Sequence, residues 1–135
     1  MIKQIQVDYP PNIETIKKHF DVMSKDIVFT YGDTLYSPAG GDINKPLMAH
    51  ENTHSRQQEE MGVSEWWDKY IEDKNFRIEQ EVEAYKNQYV EYCKNKKNMA
   101  KRVMFLNDLA QDLSSSIYGN VVGFDEAIKL IKHGV

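Results

Sequence analysis

The chain has 135 residues, of which 41% are hydrophobic and 28% are charged, and its formal net charge is −4. This length suits one hydrophobic core and is short for two, so we expect a single domain over residues 1–135. The composition is typical of a protein that folds in water and excludes the disordered and membrane-spanning classes, and the acidic charge argues against a nucleic-acid partner.

The N-terminal residues predict a strand followed by a short helix. Residues 2–7 alternate apolar and polar side chains, and two prolines in residues 9–11 end the pattern because proline has no backbone N–H to donate. Asn12 can cap an amphipathic helix that runs from Ile13 through about Met23. The alternation differs from the continuous apolar stretch of a signal peptide, and we therefore expect a cytoplasmic protein with no membrane contact.

A β-hairpin and then a boundary are predicted next. Residues 27–31 and 34–36 are β-rich runs on either side of Gly32-Asp33, which is a turn signal. The second run, Thr34-Leu35-Tyr36, could form a sheet edge along which an extended peptide pairs. Glycine and proline in residues 37–41 separate this part from a helical remainder. We therefore predict an α+β fold, with a short N-terminal β-sheet followed by a mainly helical part.

Helical spacing of apolar residues predicts five helices in that remainder. Asn44 and Pro46 begin the first helix, and Ser64 caps the second, whose aromatic side chains we interpret as core. A break near residues 95–98 separates the third helix from the fourth, and residues 114–116 predict a loop or a fraying helix end. The predicted helices cover about residues 45–60, 64–71, 76–97, 103–113 and 125–132.

Two local features of the helical part have structural interpretations. Cys93 is the only cysteine, so no intrachain disulfide is possible. We interpret it as a small buried hydrophobe because no histidine lies near it in sequence. Residues 94–102 are locally basic, but no aromatic side chains interleave with these cations, and the run is typical of a solvated helix face.

The first predicted helix contains His50-Glu51-Asn52-Thr53-His54, which matches the pattern H-E-x-x-H. Residues four apart lie one above the other on a helix, so His50 and His54 can bind one metal ion. Glu51 projects from an adjacent part of the same face and can take a proton from metal-bound water without being a ligand. The motif predicts a zinc ion, with Glu51 as the general base.

A catalytic zinc site normally has three protein ligands and one open position, so a third ligand is needed. In the longer motif H-E-x-x-H-x-x-G-x-x-H the last histidine is that ligand, but here Gln57 and Glu60 replace the glycine and the histidine. Without the glycine the chain does not readily turn back, which argues against Glu60. The other solution is a carboxylate from a second helix downstream.

Residues 81–84 supply such a carboxylate, and here the sequence resembles the gluzincins, metallopeptidases whose third ligand is the glutamate of an E-x-x-A or similar pattern. Glu81 and Ala84 fit that pattern. Glu83 is the rival, but two residues along a helix rotate by about 200°, so Glu81 and Glu83 cannot both face the metal. We favour Glu81, and the resemblance implies His50, His54 and Glu81 as the metal ligands.

A second resemblance covers about residues 27–120. Residues 50–58 resemble the H-E-x-x-H-x-x-Q-Q form of small zincin-like proteins of bacterial and phage genomes, which share a later aromatic-rich helix with E-x-E-A-Y. The resemblance includes Tyr118-Gly119-Asn120. It implies a minimal zincin-like domain, a zinc ion and metallopeptidase activity on a peptide or protein substrate, which it does not identify.

The motifs predict a zinc-dependent metallopeptidase in which Glu51 acts first as base and then as acid while a metal-activated water attacks the peptide bond. The alternative is a non-enzymatic zinc-binding structural or interaction protein on the same scaffold. The intact Glu51 argues against this alternative, because a structural zinc site needs no general base. The sequence predicts no particular oligomeric state.

Further residues are candidates for supporting roles. Tyr85 and Tyr118 could stabilise the oxyanion of the reaction, and Asn52 or Gln58 could orient the imidazole rings. The other two histidines, His19 and His133, lie at predicted surface positions, so we do not expect them to touch the metal.

Overall fold

The structure is a computed structural model, and it describes residues 1–22, 26–96 and 98–133. A small sheet precedes a larger helical part, which confirms the predicted α+β class. The elements, in chain order, are β1 (Gln4–Gln6), α1 (Ile13–His19), β2 (Phe29–Tyr31), β3 (Thr34–Tyr36), α2 (Lys45–Met61), α3 (Val63–Glu72), α4 (Lys74–Asn95), α5 (Met99–Leu113), a 3₁₀ turn (Ser116–Tyr118) and α6 (Phe124–Lys132).

The predicted hairpin is present. β2 and β3 are antiparallel, with Tyr31 opposite Thr34 beside the turn. Gly32 in the turn has a φ of 65°, in the left-handed region that a glycine enters without a Cβ clash. β1 adds to the sheet by pairing in parallel with β3.

The prediction that Thr34-Leu35-Tyr36 forms a sheet edge is wrong, because β3 lies between β1 and β2 and pairs with both. The edge that faces the helices belongs to β2. There the Thr30 carbonyl accepts hydrogen bonds from the Gln58 amide at 2.9 Å and from the Trp67 indole at 3.2 Å. A peptide strand added at this edge would have to displace both donors.

Several helix ends differ from the prediction. α1 ends at His19, and Met23, the predicted end, lies outside the described residues. Asn12 precedes α1, but its side chain makes no capping hydrogen bond. α3 begins at Val63, so Ser64 lies inside the first turn and does not cap the helix. These differences shift boundaries and leave the order of elements unchanged.

The long helices α2 and α4 pack against each other and carry the motif residues. α2 begins as predicted, since the Asn44 side chain accepts a hydrogen bond from the Leu47 N–H at 2.8 Å. It ends before Gly62, whose φ of 105° lies in a region that residues with a Cβ rarely adopt. α4 begins two residues before its predicted start, because Asp73 caps it.

The aromatic residues of α3 are buried as predicted, while Cys93 is only partly buried and the described lysines of the basic run are exposed. Among the described residues, no helix is both long enough and apolar enough to cross a membrane.

Two apolar clusters complete the fold. One cluster joins α4, α5 and α6 through Ile78, Tyr85, Leu106, Leu109, Ala110, Leu113, Ala127 and Ile131. The other joins α1, β2 and α3 through Ile16, Val22, Phe29, Trp66, Trp67, Tyr70 and Ile71.

Candidate metal centre

Three potential metal ligands meet where α2 packs against α4. His50 and His54 lie one turn apart on α2, and Glu81 reaches them from α4. Nε2 of His50 is 3.1 Å from Glu81 Oε1, and Nε2 of His54 is 3.2 Å from the same oxygen. One ligand atom of each residue lies within 4.8 Å of the other two, and all three residues are buried. This group could hold a metal ion.

The side-chain amide of Gln57 fixes the tautomer of His54. Its Nε2 donates to the Gln80 carbonyl at 3.1 Å and to Glu83 Oε1 at 2.8 Å, so its Oε1 faces His54 Nδ1, at 2.9 Å. Because this oxygen can only accept, Nδ1 of His54 carries the proton. Nε2 is then the nitrogen that turns toward Glu81 and can bind a metal ion.

Two side chains of α4 hold His50. Gln88 places its Oε1 2.9 Å from His50 Nδ1, the same arrangement that Gln57 makes with His54. The ring of Tyr85 packs edge-on against the imidazole, with the ring centroids 4.5 Å apart. The helix that supplies Glu81 therefore also orients one of the two histidines.

Tyr70 of α3 holds the third ligand. Its hydroxyl donates to Glu81 Oε2 at 2.5 Å, while Oε1 of the same carboxylate faces the histidines. The Tyr70 ring stacks on Trp66 with the centroids 4.7 Å apart, so the packing of α3 fixes the hydroxyl. Oε1 of Glu81 thus contacts both histidines, while Oε2, which Tyr70 binds, is also 3.2 Å from His54 Nε2.

The electrostatics of the group suit a cation. Burial by itself lowers the pKa of His54, but the charge and the hydrogen bond of Glu81, together with the charge of Glu51, raise this pKa to about 9. Burial raises the pKa of Glu81, whereas its interactions with His54 and His50 lower it more and hold it well below its usual range. A proton on His54 therefore balances the Glu81 carboxylate, and a bound metal ion would take over that role.

Glu51 lies beside the three candidate ligands and is not a member of that group. Its Oε2 is 3.7 Å from His50 Nε2. Its Oε1 accepts a hydrogen bond from the Thr30 hydroxyl of β2 at 2.9 Å. β2 thus holds the Glu51 carboxylate where it can contact a molecule next to the ligands.

A cavity of about 90 Å³ opens onto the three ligands and Glu51. Tyr118 lines this cavity, and its hydroxyl lies 2.7 Å from that of Tyr85. Burial raises the pKa of both tyrosines well above the ordinary value, so both hydroxyls stay protonated. The rest of the wall is largely apolar and comes from α1, the segment before β2, β2 itself, α3 and Ile117.

The two rival carboxylates lie elsewhere. Glu83 accepts hydrogen bonds from the Arg56 guanidinium and the Gln57 amide, so it lies behind His54 and helps to orient Gln57. Glu60 accepts a hydrogen bond from Arg56 at 3.0 Å at an exposed position. Glu81 is therefore the candidate carboxylate that the structure brings to both histidines.

The prediction that Asn52 or Gln58 orients the imidazoles is wrong, because both tie α2 to the N-terminal part of the chain. Asn52 accepts a hydrogen bond from the Ile2 N–H at 2.8 Å, and Gln58 bridges the Gly32 N–H and the Thr30 carbonyl.

The residues that contact the candidate ligands are Gln57, Gln88 and Tyr70, and the sequence predicted this role for none of them. Gln88 lies seven residues after Glu81, two turns along the same face of α4, and this spacing was a usable signal. No local pattern marks Tyr70. His19 and His133 are exposed, as predicted.

The chain matches no protein-family model, no curated protein and no solved structure. The zincin-like resemblance of residues 27–120 therefore stays an interpretation of the motifs. What the site can do is inferred from its own residues and their geometry.

Proposed function

We propose that the protein is a zinc-dependent metallopeptidase with a minimal zincin-like fold. His50, His54 and Glu81 are the proposed zinc ligands, and Glu51 is the proposed general base. The observation that carries this proposal is the place of Glu51: a buried carboxylate that Thr30 fixes 3.7 Å from His50 Nε2, outside the ligand group. A carboxylate so placed serves a molecule next to the ion and adds nothing to holding the ion itself.

The donor atoms support zinc. Two imidazole nitrogens and one carboxylate oxygen form a typical ligand set of a catalytic zinc site, which keeps its fourth position open. Zinc–ligand bonds of about 2.0–2.1 Å at tetrahedral angles place neighbouring ligand atoms about 3.3 Å apart. The distances of 3.1 and 3.2 Å from Glu81 Oε1 to the two Nε2 atoms are close to this spacing. A calcium ion, by contrast, takes oxygen ligands only.

A zinc ion held by these residues would supply a Lewis acid that polarises a carbonyl group and would make a water molecule acidic near neutral pH. Glu51 removes a proton from the attacking water as the new C–O bond forms. The same carboxyl group then gives the proton to the amide nitrogen as the C–N bond breaks. Tyr118, which lines the cavity and whose hydroxyl stays protonated, is the candidate donor to the carbonyl oxygen as that oxygen gains charge.

The cavity wall favours an apolar side chain next to the cleaved bond. Apart from the ligands, Glu51 and the hydroxyl groups, the cavity is lined by aliphatic and aromatic side chains such as Phe29, Trp66 and Ile117. A charged side chain buried there would lose its hydration, and the Glu81 carboxylate, which already contacts the histidines and Tyr70, is not a free partner for it. We therefore expect peptides with an aliphatic residue at this position to be the better substrates.

One observation favours the non-enzymatic alternative. A cavity of about 90 Å³ is small for a peptide, and each of the three ligands is almost completely buried. A protein that keeps zinc only as a structural clip would show the same burial. The two functions differ in whether Glu51 matters, because only hydrolysis needs a base.

The test is Glu51→Gln, which keeps the shape of the side chain and its hydrogen bond to Thr30 while removing the base. Zinc content and melting temperature should stay near wild type, whereas cleavage of an unfolded protein should fall at least about a hundredfold. Glu59→Gln, an exposed change on the same helix, is the matched control and should cleave like wild type. Wild-type turnover in Glu51→Gln would overturn the mechanism. Zinc binding without cleavage of any peptide by the wild type would support the structural alternative.

A further inference from the structure

Arg77 of α4 is a buried cation that the proposed reaction does not use. Its exposed fraction is only 7%, and no carboxylate among the described residues lies within salt-bridge distance of it. The guanidinium instead donates to three backbone carbonyls. Nε donates to Tyr70 at 2.8 Å, Nη2 to Ile71 at 2.8 Å and Nη1 to Tyr118 at 2.9 Å.

The surroundings explain how this charge is tolerated. Tyr70 and Ile71 belong to the last turn of α3, where carbonyls have no partner within the helix and the helix dipole favours a cation. The guanidinium also lies 4.8 Å from the centre of the Phe20 ring and 5.8 Å from that of Tyr70. A lysine has the charge but lacks the planar fork, so it cannot reach all three carbonyls at once.

The residues that Arg77 holds are those that contact the metal group. The Tyr70 hydroxyl donates to Glu81 at 2.5 Å. Tyr118 lines the cavity, and its hydroxyl pairs with that of Tyr85, whose ring packs on His50. Arg77 therefore contacts the backbone carbonyls of both tyrosines and is not itself a member of the candidate metal group.

Tyr118 depends on this contact more than Tyr70 does, because it lies on a three-residue 3₁₀ turn and not in a long helix. Gly119, the next residue, has a φ of 94°, and a Cβ added there would lie 3.2 Å from Arg77 Nη1. The turn thus packs directly on the guanidinium. Without the guanidinium, the Tyr118 carbonyl would lose its hydrogen bond. The Tyr118 side chain, which lines the cavity, would then no longer be held in place.

We propose that Arg77 is a positioning residue of the metal site: it holds Tyr70 against Glu81 and Tyr118 in the cavity wall. The Tyr118 part rests on the proposed peptidase function. The Tyr70 part concerns metal binding alone and stands whether or not the protein cleaves peptides.

The experiment compares Arg77→Lys with Arg102→Lys on α5. Arg102 is a matched control because its guanidinium also donates to backbone carbonyls, those of Cys93 and Lys96, but it is not part of the metal group or the cavity. The readouts are zinc affinity by competition with a chelating dye, the absorption bands of the protein loaded with Co²⁺, and melting temperature. Tyr70→Phe provides the second background for a double-mutant cycle.

Arg77→Lys should weaken zinc binding about tenfold, the lower range for loss of a group that supports a ligand, and should shift the Co²⁺ bands. In the Tyr70→Phe background the same change should have little further effect, because the two residues act through one contact. Arg102→Lys should leave affinity and spectrum unchanged. If Arg77→Lys lowers the melting temperature but keeps the zinc affinity and the Co²⁺ spectrum of the wild type, Arg77 stabilises the fold without positioning the metal site. That result would overturn the proposal.

If cleavage is found, Arg77→Lys should lower kcat about tenfold or more with little change in KM, and should add little in a Tyr118→Phe background. An equal loss in both backgrounds would overturn the Tyr118 part. Should Arg77→Lys fail to fold, Gly119→Ala disturbs the same contact with Arg77 in place and should also lower kcat. Unchanged kcat in folded Gly119→Ala would overturn that part, whereas failure of the wild type to cleave would leave the zinc measurements to decide.

Discussion

The inward side of α2 and the interface of α5 with α6 are both buried, but they bury opposite kinds of side chain. The buried residues of α5 and α6 are all apolar, and the cluster that they form with α4 gains its stability from area removed from water. The buried residues of α2 are all polar: His50, Glu51, Thr53, His54, Ser55, Gln57 and Gln58.

Buried polar groups cost stability unless each finds a partner, and on α2 each one does. Ser55 donates to the Gly32 carbonyl, Thr53 to the Ala49 carbonyl, and the two glutamines bridge α2 to α4 and to the sheet. Among the described residues, the one buried side-chain nitrogen or oxygen atom without a hydrogen-bond partner is Asn12 Oδ1, which is outside α2. We infer from this contrast that α2 is organised to orient groups around a site, whereas α5 and α6 supply stability.

The largest expected effect is the loss of zinc when a buried polar residue of α2 is removed. His54→Ala should reduce zinc from about one ion per chain to nearly none, because two remaining ligands do not hold the ion tightly. Added zinc should then no longer raise the melting temperature. Glu81→Ala should behave in the same way, and Glu83→Ala, two positions along α4, should keep its zinc. Elemental analysis of the purified variants decides this, and the reverse outcome for the two glutamates would refute the ligand assignment.

The next largest effect is a loss of stability when a residue of the apolar cluster of α4, α5 and α6 is truncated. Leu113 of α5 is fully buried, and Leu113→Ala should lower the free energy of unfolding by about 2–5 kcal/mol, through lost burial and the cavity left behind. Denaturant unfolding measures this change. Zinc affinity, measured where the variant is still folded, should remain that of the wild type. A large loss of affinity in this variant would show that the two regions are not separable.

The smallest effect is the pH dependence of the melting temperature, which tests whether α2 is organised around a cation. In the metal-free protein the pKa of His54 is raised from 6.5 to about 9, so the proton on His54 stabilises the folded state fully below about pH 6.5. That contribution should be lost as the pH rises from about 6.5 to 9. The melting temperature of chelator-treated protein should fall over this range, and less so in His54→Gln. Equal pH profiles for the two proteins would contradict the raised pKa.

The sequence predicted the features that depend on local spacing. Two β-rich runs around the turn residues Gly32-Asp33 predicted the hairpin, and capping by Asn44 together with helical periodicity predicted α2. The pairing of His50 with His54 follows from the helix repeat alone, since residues four apart share a face. The preference for Glu81 over Glu83 used the same repeat, together with a motif resemblance.

Contacts between distant parts of the chain were decided only by the tertiary structure. β3 became the central strand because β1, some 30 residues earlier, pairs with its outer side, and no local pattern encodes that choice. Gln88 meets His50 across 38 residues, and Arg77 meets Tyr118 across 41. The identity of such partners depends on how whole helices pack, because a buried polar group forms its hydrogen bond with whichever complementary group the packing brings within reach. The sequence by itself therefore determined which residues could hold a metal ion, and the packing of α3, α4 and the 3₁₀ turn determined what holds those residues in place.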